Sequence, residues 1–141
     1  MADLESLIRL RKHTVDEKQK VLSEIYRQIE QLEQRREELL QRLNKERKAL
    51  DEDLSLETRD FYGRFEGVIR SDVERIDIEI RNLETGLDKA QEDVRAAFAD
   101  QKRVEIVSER RKEEQAQEIK NKDSIELDEI GIEGFRRKEE F

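Results

Sequence analysis

An apolar side chain at every seventh position limits how this chain can fold more than any other feature. One heptad column of the first half holds Ile8, Val15, Leu22, Ile29, Leu43 and Leu50, and is broken only by Arg36. A second column of the same half holds Leu4, Ile25, Leu32 and Leu39. A seven-residue repeat kept over about seven heptads is typical of a helix that supercoils left-handedly around another helix. The first half therefore predicts one long coiled-coil helix.

The repeat returns in the second half of the chain. One column there holds Ile69, Ile76, Leu83, Ala90, Ala97 and Val104. The other holds Val73, Ile80, Leu87 and Val94, and continues in polar form at Gln101 and Ser108. The heptad phase is lost between the two runs, where Ser55 and Thr58 can act as helix N-caps. We therefore place a hairpin turn at about residues 53–62.

These patterns predict an all-α protein, a two-helix antiparallel coiled coil or helical hairpin with a longer second helix. The expected parts of this single coiled-coil hairpin over residues 1–141 are helix one at about 3–54, helix two at about 60–120 and a C-terminal overhang at about 110–141. A fold-back near residue 56 places Arg11 opposite Gln101. A slip of one heptad places Leu50 opposite Ile69 and is nearly as good, so the register stays open.

Composition alone allows two states for such a chain. Hydrophobic residues make up 34% and charged residues 47%, with a net charge of -8. Such values fit either a disordered chain or a long charged helical assembly. The sequence has no proline and only 5 glycines, whereas disordered linkers are usually rich in both. Together with the heptads, this favours the helical assembly.

The sequence also indicates the cellular compartment and whether the chain binds nucleic acid. Its start, Met1-Ala-Asp-Leu-Glu5, carries acids where a signal peptide needs a basic region, and no later stretch approaches ~20 apolar residues. The absence of cysteine fits a reducing compartment. We therefore expect a soluble protein of the cytoplasm. A sequence pI near 5.0 disfavours phosphate binding, so we expect no nucleic-acid partner.

We expect no catalytic, cofactor-binding or metal-binding residues, and therefore no enzyme. The sequence has no phosphate-binding loop, dinucleotide fingerprint or nucleophile elbow. Acid–base chemistry needs a partly dry pocket, which two helices do not form. His13 and Glu17 could share a metal ion, but two ligands in water make a poor site.

Two apolar clusters suggest either local packing or contact with another protein. Phe61, Tyr62 and Phe65 gather at the turn, where they either close the hairpin tip or meet a partner. Leu127, Ile130 and Phe135 lie in the overhang, beyond the reach of helix one. An apolar stripe with nothing to bury against in its own chain predicts a partner.

A resemblance to a known family rests on helix two. The residues that carry it are Arg95-Ala-Ala-Phe-Ala-Asp-Gln-Lys-Arg-Val-Glu-Ile-Val-Ser-Glu-Arg-Arg-Lys112, followed by Leu127-Asp-Glu-Ile130. This sequence resembles the FliJ family of flagellar type III export stalk proteins. The likeness covers nearly the whole chain, and residues 61–137 supply most of its specificity.

The resemblance implies a non-enzymatic role in flagellum biogenesis and motility. Members of the family are similar to the stalk of rotary ATPases. They bind the hexameric export ATPase ring, the cytoplasmic domain of the export gate and export chaperones. The implied location is the cytoplasm, peripheral to the inner face of the cell membrane through the export apparatus. Family members are commonly basic, whereas this chain is acidic.

The expected partner contacts follow from carrying the family's ATPase-facing end onto this sequence. They are Leu4, Leu7, Ile8, Arg103, Arg110, Arg111, Leu127, Ile130 and Phe135. One alternative stays open from the heptads, a self-associating structural coiled coil in which the repeats pair between chains. In that alternative the turn region is one helix interrupted by Gly63 and Gly67.

Overall fold

Two helices make up the fold. A computed structural model describes residues 3–52 and 55–139, and it has helix α1 at Asp3–Glu52 and helix α2 at Leu56–Glu139. No strand occurs among the described residues. The helices pack against each other as a hairpin whose second helix is the longer. The predicted fold class, an all-α helical hairpin, is confirmed.

The second helix begins at Leu56, earlier than the start at about 60 that the sequence predicts. Ser55 is its N-cap: the Ser55 hydroxyl accepts the Thr58 amide at 3.3 Å and the Ser55 carbonyl accepts the Arg59 amide at 3.1 Å. Of the two expected caps, Thr58 lies inside α2. Gly63 and Gly67 also lie inside α2, so the helix continues through both. Residues 53 and 54 of the expected turn lie outside the described residues.

The chain divides into two compact units, of which one spans residues 14–97. We call this one the central unit. Its buried apolar side chains are Val15, Leu39, Leu43, Ile69, Ile76, Ala90 and Ala97. All of them occupy the heptad columns. Leu39 and Ile69 are the most buried, at 4% and 3% exposed, and Tyr62 and Phe65 pack against their cluster.

The polar break in the first heptad column has a partner on the other helix. Arg36 Nε donates to Asp77 Oδ1 at 2.8 Å, and both side chains are about half-buried. Asp77 follows Ile76, which a fold-back near residue 56 places opposite Arg36. The ion pair therefore agrees with that register. With some 40% of each side chain exposed, it contributes at most about 1 kcal/mol.

We expect Gly86→Ala to stabilise the hairpin by about 0.5–1 kcal/mol. Gly86 lies within α2, and a Cβ added there meets no heavy atom within 4 Å. Alanine therefore lowers the conformational entropy of the unfolded chain without a clash. Urea unfolding followed by circular dichroism measures the change. A lower midpoint in the variant would contradict the prediction.

Candidate partner-binding surface

All of the predicted contact residues belong to one compact unit. It comprises the described residues of segments 1–13 and 98–141, and we call it the terminal unit. Leu4, Leu7 and Ile8 are half-buried on α1. The other predicted contacts, which are Arg103, Arg110, Arg111, Leu127, Ile130 and Phe135, are exposed on α2. The structure therefore offers mainly the α2 residues to another molecule.

Polar groups occupy buried positions of the terminal unit. Gln101 and Ser108, the polar continuation of a heptad column, are only 8% and 7% exposed. On α1, Arg11 Nε is buried and has no hydrogen-bond partner. A buried donor without a partner costs about 1–3 kcal/mol. The terminal unit is therefore held together less firmly than an apolar coiled coil of the same length.

The Glu105 carboxylate accepts hydrogen bonds from a polar and a positively charged side chain. Its carboxylate accepts Gln101 Nε2 at 2.9 Å and Lys102 Nζ at 3.1 Å. The hydrogen bond from Gln101, followed by that from Lys102, lowers the pKa of Glu105, and Lys12 on α1 adds to this effect. Glu105 therefore stays ionised around neutral pH and links charges of both helices.

Exposed apolar side chains also occur where the heptads did not predict them. In the terminal unit they include Leu10, Phe98, Ile106 and Val107, each more than 40% exposed. Lys102 lies over the Phe98 ring at 5.2 Å from its centroid. These residues lie outside the heptad columns, so the heptad pattern does not predict them. Ile106 and Val107 each lie one helical turn from Arg103 and from Arg110, so this part of the surface is both apolar and basic.

Every described residue of α2 from 109 onward is exposed. We call residues 109–139 the α2 extension. Its exposed large apolar residues are Ile119, Ile125, Leu127, Ile130, Ile132 and Phe135. Basic residues occur near the start of the extension at Arg110, Arg111 and Lys112, in its middle at Lys120 and Lys122, and again in its last turn. A helix this exposed and this rich in large apolar groups is typical of a binding segment.

The aromatic residues near the turn divide between core and surface. Tyr62 and Phe65 pack on the core cluster of the central unit, as a closing tip requires. Phe61 remains 64% exposed and stacks on Phe65 at 6.4 Å between centroids. The Arg42 guanidinium lies over the Phe65 ring, with its Cζ atom 5.5 Å from the ring centroid. Tyr62 and Phe65 therefore belong to the core, whereas Phe61 belongs to the surface.

The described residues give little basis for site chemistry. Within 3–52 and 55–139, no three His, Asp or Glu side chains come together as a metal site would need. An open groove of about 450 Å³ in the central unit is lined by Leu32, Leu83, Gln28, Gln31, Glu79 and Asn82. Glu79 is the one titratable group of that lining. Neither described helix has a stretch long and apolar enough to cross a bilayer.

Comparison with family models decides the assignment. The model of a family described as flagellar FliJ protein matches residues 1–140. The chain belongs to the FliJ family. The resemblance inferred from helix two is thereby confirmed. Comparisons with curated proteins and with solved structures find no match.

Membership of the FliJ family indicates the general function of the chain. Proteins of the FliJ family are structural components of the flagellar export apparatus and are not known as enzymes. This chain is therefore a component of that apparatus, with a place in flagellum biogenesis and protein export.

Proposed function

We propose that this chain binds the hexameric export ATPase through its terminal unit and couples the ATPase to the export gate and to export chaperones. The observation that carries the proposal is the α2 extension, in which every described residue from 109 to 139 is exposed. Its Leu127, Ile130 and Phe135 are each more than 60% exposed. A protein partner that buries them gains about 25 cal/mol for each Å² removed from water.

The proposed contacts are those expected from the sequence. Leu4, Leu7 and Ile8 begin α1, and they share the terminal unit with Arg103, Arg110, Arg111 and the apolar residues of the extension. Arg103 is already paired with Asp100 at 3.0 Å. Arg110 and Arg111 are exposed. We therefore assign the electrostatic part of the contact to Arg110 and Arg111 first.

The proposed mechanism is coupling without chemistry. A ring of six subunits has several states of closure, and a ligand that binds one state better shifts the ring toward it. By contacting the ring through the terminal unit, the chain raises ATP turnover that it does not itself perform. We place the protein in the cytoplasm, peripheral to the inner face of the cell membrane through the export apparatus.

Binding to the ATPase tests the proposal. The full chain is mixed with the flagellar export ATPase of the same genome, and complex formation is followed by sedimentation velocity alongside ATP hydrolysis. We expect the chain to join the ring and to raise turnover. Arg110→Glu combined with Arg111→Glu should weaken binding by about tenfold or more, because charge reversal replaces attraction with repulsion.

The matched control reverses two adjacent basic residues of the central unit, Arg47→Glu with Lys48→Glu. Both are exposed, and the change in net charge equals that of the test variant. We expect this control to bind within about threefold of the unaltered chain. Equal losses in the two variants would mean that only net charge matters, and a chain that ignores the ATPase would overturn the proposal.

A further inference from the structure

The apolar residues of the α2 extension form a face with a gap in it. Leu127, Gly131 and Phe135 are spaced by four residues, so they lie in one row along the helix. Leu127 is 68% and Phe135 64% exposed. A Cβ added at Gly131 would meet no heavy atom within 4 Å. The row is therefore two large apolar side chains on either side of bare backbone.

A shallow notch of about 630 Å³ lies over this row. Its apolar lining consists of Leu127, Gly131, Ile132 and Phe135, and its charged lining of Asp128, Arg136 and Glu139. Glycine in a helix interior costs about 1 kcal/mol relative to alanine. No packing within the described chain offsets that cost, because this part of the helix is exposed throughout. A side chain from another molecule that fills the notch would offset it.

Charge is distributed unevenly along the same segment. Residues 123–133 carry acidic groups and no basic ones, namely Asp123, Glu126, Asp128, Glu129 and Glu133. The last turn of α2 carries Arg136, Arg137 and Lys138, followed by Glu139. A segment that is acidic first and basic afterwards is complementary to itself when one copy is reversed.

We propose that the α2 extensions of two copies of this chain pair antiparallel through this face. Antiparallel pairing about a two-fold axis makes each contact twice. With Phe135 of one copy over Gly131 of the other, Asp128 of one copy faces Lys138 of the other, because both pairs of positions have Glu133 as their midpoint. The same alignment therefore fills the notch and pairs the charges.

Length sets the strength of this contact. In that alignment the described parts of the two helices overlap from 127 to 139, and at 1.5 Å per residue this is about 20 Å. A contact so short falls at the low end of specific interfaces. The pairing gives a weak, reversible dimer. It differs from a self-associating coiled coil, in which the heptad repeats of two chains pair with each other. A lipid surface fits the face less well, since the opposite side carries Glu126, Glu129 and Glu133, where lipid-binding helices are basic.

Sedimentation equilibrium of the full chain alone, at low ionic strength, tests the proposal. We expect the apparent mass to rise from 16.9 kDa toward twice that value as the chain concentration increases. Asp128→Lys and Lys138→Asp should each weaken self-association by about tenfold or more, because like charges then face each other. The two changes combined should restore it to within about threefold, because the opposite charges face each other again.

Glu126→Lys is the matched control, since it changes the net charge as Asp128→Lys does but lies on the side of the helix away from Gly131. It should leave self-association within about threefold. A chain that stays monomeric at every concentration overturns the proposal. A dimer that is indifferent to Asp128→Lys, or one that the combined change fails to restore, overturns it as well. No ATPase is present, so the result is independent of the proposed export function.

Discussion

Leu39→Ala lowers the free energy of unfolding by about 2–5 kcal/mol. Leu39 is 4% exposed and belongs to the core cluster with Leu43, Ile69 and Ile76. Alanine removes buried methyl groups and leaves a cavity that two helices close only in part. Since single domains are stable by about 5–15 kcal/mol, the change consumes a large part of the total. Urea unfolding followed by far-ultraviolet circular dichroism measures it.

Leu127→Ala provides the control for this prediction. The substitution is chemically the same, but Leu127 is 68% exposed in the α2 extension. Its free energy of unfolding should stay within about 0.5 kcal/mol of the unaltered chain at low protein concentration. Equal losses at the two positions would show that the cluster around Leu39 is not the stabilising core.

Arg11→Leu raises the free energy of unfolding by about 1–3 kcal/mol. Arg11 Nε is buried without a hydrogen-bond partner, and the unit that contains it also buries Gln101 and Ser108. Leucine removes the unsatisfied donor and continues the apolar heptad column of α1. The midpoint of thermal unfolding should increase accordingly.

Arg9→Leu separates this effect from a general loss of charge. Arg9 lies two residues earlier on α1 and is exposed. The two variants have the same net charge and the same composition. We expect Arg9→Leu to stay within about 0.5 kcal/mol of the unaltered chain. A destabilised Arg11→Leu variant would mean that Arg11 makes a favourable contact that its buried Nε does not reveal.

The heptad columns predicted the buried residues well. Burial in a coiled coil depends more on heptad position than on whether the side chain is polar or apolar. Val15, Leu39, Leu43 and Ile69 are buried where the columns placed them. The same rule buries Gln101 although its amide is polar. Register was harder to predict, since a shift by seven residues leaves the columns almost unchanged. The Arg36–Asp77 pair carries information on register that the apolar columns lack.

The surface was less predictable than the core. Leu127, Ile130 and Phe135 were expected to be exposed because no part of α1 remains to cover them, and they are exposed. Phe98 and Ile106 were not singled out, because apolar residues outside the columns have no periodic signal. Their exposure depends on the rotation of α2 about its own axis, which the structure supplies.

The location of the core cluster has a consequence for how the chain folds. Leu43 and Ile69 are 26 residues apart in the sequence, whereas the polar positions Arg11 and Gln101 are 90 residues apart. Closing a short loop costs less entropy than closing a long one, and local contacts speed folding. Pairing therefore nucleates beside the turn and propagates away from it. The polar positions are the last to pair and the first to separate. The two helical segments of the terminal unit can therefore separate while the core cluster beside the turn stays folded.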